Sequence, residues 1–444
     1  MRIYSKTIGF QAKKHFGVNK LSSSDLSPKM QSAIIKSIGD YPKKSLVELG
    51  EALSRYIKAR KPPVEELNLR QKVREIEEMV LSDPAKFKLP KFPAAGADDF
   101  AMKMFNDRKK QQISQILKQR VYTWRPMNYD QHKALVYLIG RSAEEYSVLM
   151  RIFKEIKKRD ENFRPNSFFD FGSGVGTGVW AAAEMWKESI YEYYCVDSSK
   201  NMNDLADLLL RDGDANKNMS LKNVYFRQFL PARDDKYSLV LSAFSLFELP
   251  NLQARLETAQ NLWNKTRDYL IFAESGTNAG FQVLSEVREF LMTVKESTGD
   301  EAFIFSPCPH ESPCPRLQLN DGTPCNFPIS YNTLGFSGNQ ERRKDTFCYL
   351  VVKRGRAEES DRWPRIVRET LPRHKHVVCR MCTENGKIEE GIFTVSKQGK
   401  SAYKCARASR WGDQLPIRIV GGETEGSDTD SDSEDSLGEE EIKK

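Results

Sequence analysis

The chain has 444 residues, 39% apolar, 29% charged and 10% aromatic, enough apolar material for a large packed core and two or three domains. No run approaches the ~18 uninterrupted apolar residues of a membrane helix, so the chain reads as soluble. Lysine and arginine number 69 against 61 acids, net +8, but residues 421–444 hold ten acids and two lysines, leaving residues 1–420 with 67 bases and 51 acids, net +16. A body this basic points to a polyanionic partner, most simply nucleic acid.

Residues 1–24 are basic, contain serines and carry no acid before Asp25. That is the composition of a mitochondrial targeting segment or of a frayed basic terminus. Residues 25–160 read as a basic helical region. Ser27-Pro28 opens a helix continued by Ile34, Ile35 and Ile38, and Leu46, Leu49 and Leu53 keep helical spacing. Pro62-Pro63 interrupts, Val64–Val80 is a second amphipathic stretch, and Pro90–Ala97 is a linker. Phe100–Tyr122 and Tyr129–Lys158 are two further helices whose lysines and arginines suit RNA backbone contact.

From 161 to 355 the pattern becomes α/β. Apolar runs at Ser167–Phe171, Tyr191–Val196, Ser238–Ala243 and Tyr269–Ala273 alternate with helical stretches Val175–Lys187, Met202–Leu210 and Leu252–Asn264. This predicts a parallel sheet covered on both faces. An insert at 306–328, with six prolines and three cysteines, is expected to be irregular, and Thr346–Arg354 is one more strand. Residues 356–420 form a small β-rich, RNA-facing unit, with Ile388–Ser396 and Lys400–Arg407 expected as a hairpin about Lys397-Gln398-Gly399. The tail 421–444 alternates Ser, Asp and Glu and is expected to be disordered.

The strongest single signal is DFGSGVGTG at 170–178, an apolar strand ending in glycines before an alanine-rich helix. Glycines let a ligand approach the backbone, and the helix start presents unpaired N–H groups. The dinucleotide spacing G-x-G-x-x-G fails because Thr177 and Val179 stand where glycine is needed, and no Gly-Lys-Ser/Thr follows to make a P-loop. What remains is the S-adenosylmethionine (SAM) arrangement of a class I, Rossmann-like methyltransferase. In it Asp170 faces the methionyl ammonium, and Gly172, Ser173, Gly174 and Gly176 lie under the sulfonium and sugar. Asp197, ending the second strand, accepts the ribose hydroxyls. After the fourth strand, Ser242–Pro250 holds neither an Asn/Asp-Pro-Pro-aromatic tetrad nor a cysteine nucleophile. Glu248 is there as a base or as an ordinary helix-start carboxylate, and Glu274–Thr277 would line the same cleft. No residue receives a catalytic role.

Cys308, Cys314 and Cys325 form a compact set in the insert, and Cys379-x2-Cys382 is the one knuckle-like pair. Without a secretory signal segment, thiols and a metal are expected rather than disulfides. Spacing leaves an iron–sulfur cluster and zinc both open, with His310 as a runner-up ligand. A fourth cysteine from the C-terminal unit would clamp that unit to the methyltransferase-like domain.

DFGSGVGTG (170–178), SLFELP (245–250), ESGTNAGF (274–281), SPCPHESPCP (306–315) and YKCARASRWGD (403–413) together resemble the mitochondrial small-ribosomal-subunit methyltransferase-like family. The similarity spans about residues 120–415, and C-P-H-x3-C-P is its specific part. The resemblance implies a mitochondrial matrix protein, a monomer that binds the immature small ribosomal subunit, its rRNA and its ribosomal proteins during assembly. It also implies a SAM-binding domain and a [4Fe-4S] cluster on Cys308, Cys314, Cys325 and Cys382, with zinc the alternative. Cys382 is preferred to Cys379 because it precedes T-x-x-G, here Thr383–Gly386. The alternative function is an active SAM-dependent rRNA methyltransferase of the same subunit.

Overall fold

The computed structural model describes residues 2–4, 15, 17, 18, 25–63, 66–93, 99–120, 125–319, 321–336 and 340–420. The tail at 421–444 and most of the expected targeting segment lie outside the described residues. The chain opens with β1 (Arg2–Tyr4) and a helical layer: α1 (Pro28–Ile38), α2 (Lys43–Ala59), α3 (Glu66–Ser82), α4 (Asp99–Arg120) and α5 (Gln131–Arg159). Ser27 caps α1 by accepting from the Met30 N–H at 3.3 Å, with Pro28 in the first turn. Asp130 caps α5, accepting from the Lys133 N–H at 2.7 Å. Most of α5 is buried, including Arg141, Glu144, Glu145 and Glu155, because it lies between the outer helices and the sheet.

The α/β body follows as β2 (Ser167–Phe171), α6 (Thr177–Trp186), β3 (Glu192–Val196), α7 (Lys200–Leu210), β4 (Val224–Arg227), β5 (Tyr237–Ala243), α8 (Leu252–Asn264), β6 (Thr266–Ser275) and α9 (Asn278–Thr298). Next come β7 (Ala302–Ser306), α10 (Pro315–Leu319), β8 (Phe327–Asn332) and β9 (Arg342–Arg354). The strands run in the order β4-β3-β2-β5-β6-β9-β7, with β8 also on β9. The first five are parallel, while β9 is antiparallel to β6, β7 and β8. The sheet is therefore mixed, not wholly parallel as expected. Period-two alternation splits the core: Phe168, Leu239 and Ile271 pack with α5 and α6, whereas Phe169, Val240 and Phe272 pack with the α8–α9 side.

Strands β7 and β8 share one edge of β9 end to end: β7 pairs with residues 351–354 and β8 with 342–347. The cysteine insert leaves the sheet between them, opposite the middle of β9. It is not wholly irregular, since it contains α10 and the start of β8. The C-terminal unit comprises β10 (Arg365–Ile366), β11 (Leu371–Pro372), β12 (His376–Cys382), β13 (Ile388–Thr394), α11 (Val395–Ala408) and β14 (Arg418–Val420), the last paired with β1. The expected hairpin partner Lys400–Arg407 is helical. It packs Ala402, Cys405 and Ala406 onto the sheet core of Val377, Cys379, Met381 and Phe393, and the hairpin is instead β12–β13.

Candidate functional site

The turn after β2 runs under the end of β3. The Gly172 and Ser173 N–H groups donate to the Val196 carbonyl at 2.8 and 3.1 Å, and the Gly174 N–H donates to Asp197 Oδ2 at 2.9 Å. Asp197 Oδ1 accepts from the Ser199 N–H at 2.8 Å. Both oxygens thus already take one backbone bond each, leaving the remaining lone pairs for a ligand diol. Gly172 has φ +69°, and a Cβ there would strike Ser245 of the SLFELP segment; a Cβ on Gly178 would collide with the Asp170 carboxylate. Gly172 is required both by its backbone angle and by this crowding, Gly178 by the crowding alone.

Asp170 is 3% exposed. Burial pushes its carboxyl up to about 8, aided by the like charges of Asp197 and Glu145. The Ser173 and Thr177 hydroxyls beside it are buried without hydrogen-bond partners. Buried acids crowded by acids, next to unused hydroxyls, form a donor set suited to a cationic ligand that also carries hydrogen-bonding groups. The hollow is nevertheless nearly closed. Tyr137, Glu145 and Leu149 of α5 and Phe244 reduce it to about 20 Å³, room for about one water. Admitting a nucleoside requires the α2–α5 layer to move outward.

A second hollow of about 20 Å³ adjoins it, between Arg60, Tyr129, Arg141, Glu248 and Glu274. Glu274, where β6 ends, is buried; burial pushes it up to about 8, and it accepts from the Leu246 N–H at 3.0 Å. Glu248 is ion-paired with buried Arg60 at the end of α2, so it is neither a free base nor a plain helix-start carboxylate. It holds the helical layer over the cleft. Phe244, at φ +55°, is a strained non-glycine residue between the two hollows, with the Arg141 guanidinium 5.2 Å from its ring centre. The contributions of Tyr137, Arg141 and Glu145 were absent from the sequence reading. Paired acids at 144 and 145 beside Arg141, in the apolar middle of that helix, were the signal available.

The cysteines lie where the insert leaves the sheet between β7 and β8, beside the middle of β9. On β12, alternation sends Cys379 into the C-terminal core with Val377 and Met381, and Cys382 to the opposite face. There Cys382 Sγ lies 3.3 Å from His310 Nε2. The His310 Nδ1–H donates to the Ser312 carbonyl at 3.1 Å, which leaves Nε2 as the lone-pair nitrogen of the neutral ring. Burial, and Arg288 nearby, push His310 down to about 4. Burial, together with the charges of Cys308, Cys325 and Cys314, raises the Cys382 thiol. Burial first, and then the charges of Cys308 and Cys314, raise the Cys325 thiol as well, so the four thiols share one neighbourhood. Among the described residues, however, no three His, Cys, Asp or Glu side chains lie close enough to hold one metal ion. Beneath the loop, buried Arg288 of α9 donates to the His310 and Ser312 carbonyls at 3.2 and 2.7 Å and stands as a cationic neighbour of Cys308. The two sites are linked at the loop after β6: the Gly276 carbonyl accepts from Asn326 Nδ2 at 2.8 Å, one residue beyond Cys325.

The family model described as mitochondrial small ribosomal subunit Rsm22 matches residues 131–416. The human mitochondrial ribosome assembly protein METTL17 is 34% identical over 371 residues, 83% of this chain and 77% of that protein. The mitochondrial ribosome assembly protein RSM22 of Saccharomyces cerevisiae is 20% identical, over 65% of this chain and 67% of that protein. Rsm22-cox11 tandem protein 2 of Schizosaccharomyces pombe is 22% identical, and the match spans only 43% of its length. Among solved structures, a SAM-dependent methyltransferase from Aquifex aeolicus aligns with 50% of this chain and 99% of its own, at 15% identity and a TM-score of 0.30. The magnesium protoporphyrin IX methyltransferase of Synechocystis aligns with 55% of this chain and 94% of its own, at 15% identity and the same TM-score. The extent of the family match and of the human relative settles the relationship: this chain belongs to the Rsm22 family of mitochondrial small ribosomal subunit proteins.

Proposed function

We propose that this chain is an assembly factor of the mitochondrial small ribosomal subunit, acting in the mitochondrial matrix and binding the subunit's rRNA. Its cleft takes SAM as a bound element rather than for rapid turnover, and Cys308, Cys314, Cys325 and Cys382 hold a [4Fe-4S] cluster. The observation that carries the reading is the acid-lined, nearly closed cleft over the glycine turn in a member of this family. Asp170 would meet the methionyl ammonium, Asp197 the ribose hydroxyls, and Gly172, Ser173, Gly174 and Gly176 the sugar and sulfonium side. The one carboxylate of SLFELP is tied to Arg60, which suits binding without catalysis.

For the thiols, the cluster is favoured because Cys308 and Cys314 are each followed by proline, a rigid turn that limits solvent approach to the sulfides of an iron–sulfur cluster. The test has two arms. Protein purified without oxygen is analysed for iron, sulfide and zinc. Unsubstituted and Asp170→Ala protein are compared for small-subunit association and for rRNA base methylation. Four irons with four sulfides, and subunit binding with no methylation dependent on Asp170, are expected. Colourless, zinc-loaded protein would remove the cluster from the proposal, and methylation lost in the variant while subunit binding persists would make the chain an active rRNA methyltransferase.

A further inference from the structure

The C-terminal unit separates its charges. No Asp or Glu stands between residues 391 and 412, and this stretch carries Lys397, Lys400, Lys404, Arg407 and Arg410. Helix α11 turns Ala402, Cys405 and Ala406 inward, which leaves Lys400, Lys404 and Arg407, at spacings of four and three, on its exposed face. Lys397 extends the row before the kink at Gly399. The row continues off the helix, because Arg407 Nη1 donates to the Arg373 carbonyl at 2.8 Å. This abuts the turn carrying exposed Arg373 and Lys375 on the end of α11. None of these six cations has an ion-pair partner among the described residues. The unit's acids on the hairpin are placed away from the row: Glu390 pairs with Arg380 and Glu384 with Arg418, and the β12–β13 register sets Glu389 and Glu390 opposite Met381 and Arg380. The α11 end of that hairpin is His376 opposite Thr394.

We infer that this row is the surface on which the chain holds an RNA phosphate backbone; the inference rests on the rRNA-binding reading above and names its place. These six cations, on the kinked α11 and its neighbouring turn, repel one another, and the helix stabilises itself by no i,i+4 acid–base pair here. A polyanion would relieve that repulsion and release its own counterions. The one large side chain beside 400, 404 and 407 is half-buried Tyr403, whose hydroxyl accepts from Arg407 Nη1 at 3.2 Å, so the face presents a polar edge rather than an aliphatic patch for insertion into a lipid surface. Lysines on a smooth helix face read phosphates and not bases, so the contact is sequence-tolerant and positions the particle.

The test uses the full chain and a fluorescein-labelled 24-nucleotide RNA stem-loop, with binding followed by anisotropy from 50 to 300 mM salt. Lys400→Gln/Lys404→Gln/Arg407→Gln is compared with a control, Lys187→Gln/Lys222→Gln on exposed positions of the α/β body. The α11 variant is expected to bind at least tenfold more weakly at 100 mM salt, with the slope of log K against log salt reduced by about three, one per lost phosphate contact, and an unchanged melting temperature. The control should leave the slope intact. An α11 variant with unchanged affinity and slope overturns the surface while leaving rRNA binding standing, as does retention by anionic vesicles that disappears in the α11 variant while RNA binding does not. Unsubstituted protein that fails to bind RNA at 50 mM salt overturns both.

Discussion

Asp170 carries the sharpest consequence at the residue scale. Its folded carboxyl titrates near 8 against an ordinary 3.8, chiefly through burial, so at pH 7 the folded state holds a proton that the unfolded chain has lost. Stability from this group is full below about pH 4, falls as pH rises toward 8, and is then constant. A cation seated beside Asp170 would favour the carboxylate and expel that proton. Titration calorimetry of SAM in buffers of different ionisation enthalpy at pH 7 should therefore show uptake of close to one proton by the buffer. Asp170→Asn should lose the ligand and the proton signal and yet melt no lower than the unsubstituted protein at pH 8. A lower melting temperature there would mean that Asp170 is structural.

At the scale of elements, α9 supports the cysteine loop through one side chain. Arg288→Met would leave the His310 and Ser312 carbonyls without their buried donor and Cys308 without its cationic neighbour. Hydrogen bonds to charged groups contribute ~1.5–3 kcal/mol each, so the loss of two predicts about 3–6 kcal/mol in denaturant unfolding, with less iron retained after anaerobic purification. Unchanged stability would show that the loop holds its own shape. The glycine turn, the strand before it and the acid of the next strand were legible in the sequence because chain neighbours make that motif. The C-x2-C pair was legible in part: the T-x-x-G resemblance singled out Cys382, but that its two sulfurs diverge on a β-strand shows only in the pairing of β12. Residues 400–407 were misread as a strand for a related reason: their small buried residues, 402, 405 and 406, follow helical spacing, which the adjoining β-run obscured.

Across the whole molecule, one buried ion pair joins the three parts. Arg365 of the C-terminal unit donates to Glu155 of α5 at 2.7 Å, to Ser306 Oγ at 3.0 Å, and to the carbonyls of Pro307 and Gly412 at 3.0 and 2.8 Å. Burial would raise the Glu155 carboxyl, but Arg365 and Arg159 outweigh it and hold it at about 2. Its contribution is therefore complete above about pH 4.5 and is lost as pH falls toward 2. Glu155→Gln should cost about 3–5 kcal/mol, since it strands a buried guanidinium, and should flatten the acid limb of a stability-versus-pH curve. A variant whose acid limb matches that of the unsubstituted protein would place the joint elsewhere.

The amino-acid sequence by itself determined the order of the parts, the glycine turn with Asp170 and Asp197, and the cysteine-rich insert, since each is a pattern among near neighbours along the chain. Tertiary structure alone decided that the cleft is closed by α5, that Glu248 is bound to Arg60, and that Cys379 turns into the C-terminal core. Those outcomes depend on which distant segments meet and which face of a strand turns inward, and the free energy of burial that selects them belongs to the assembled core.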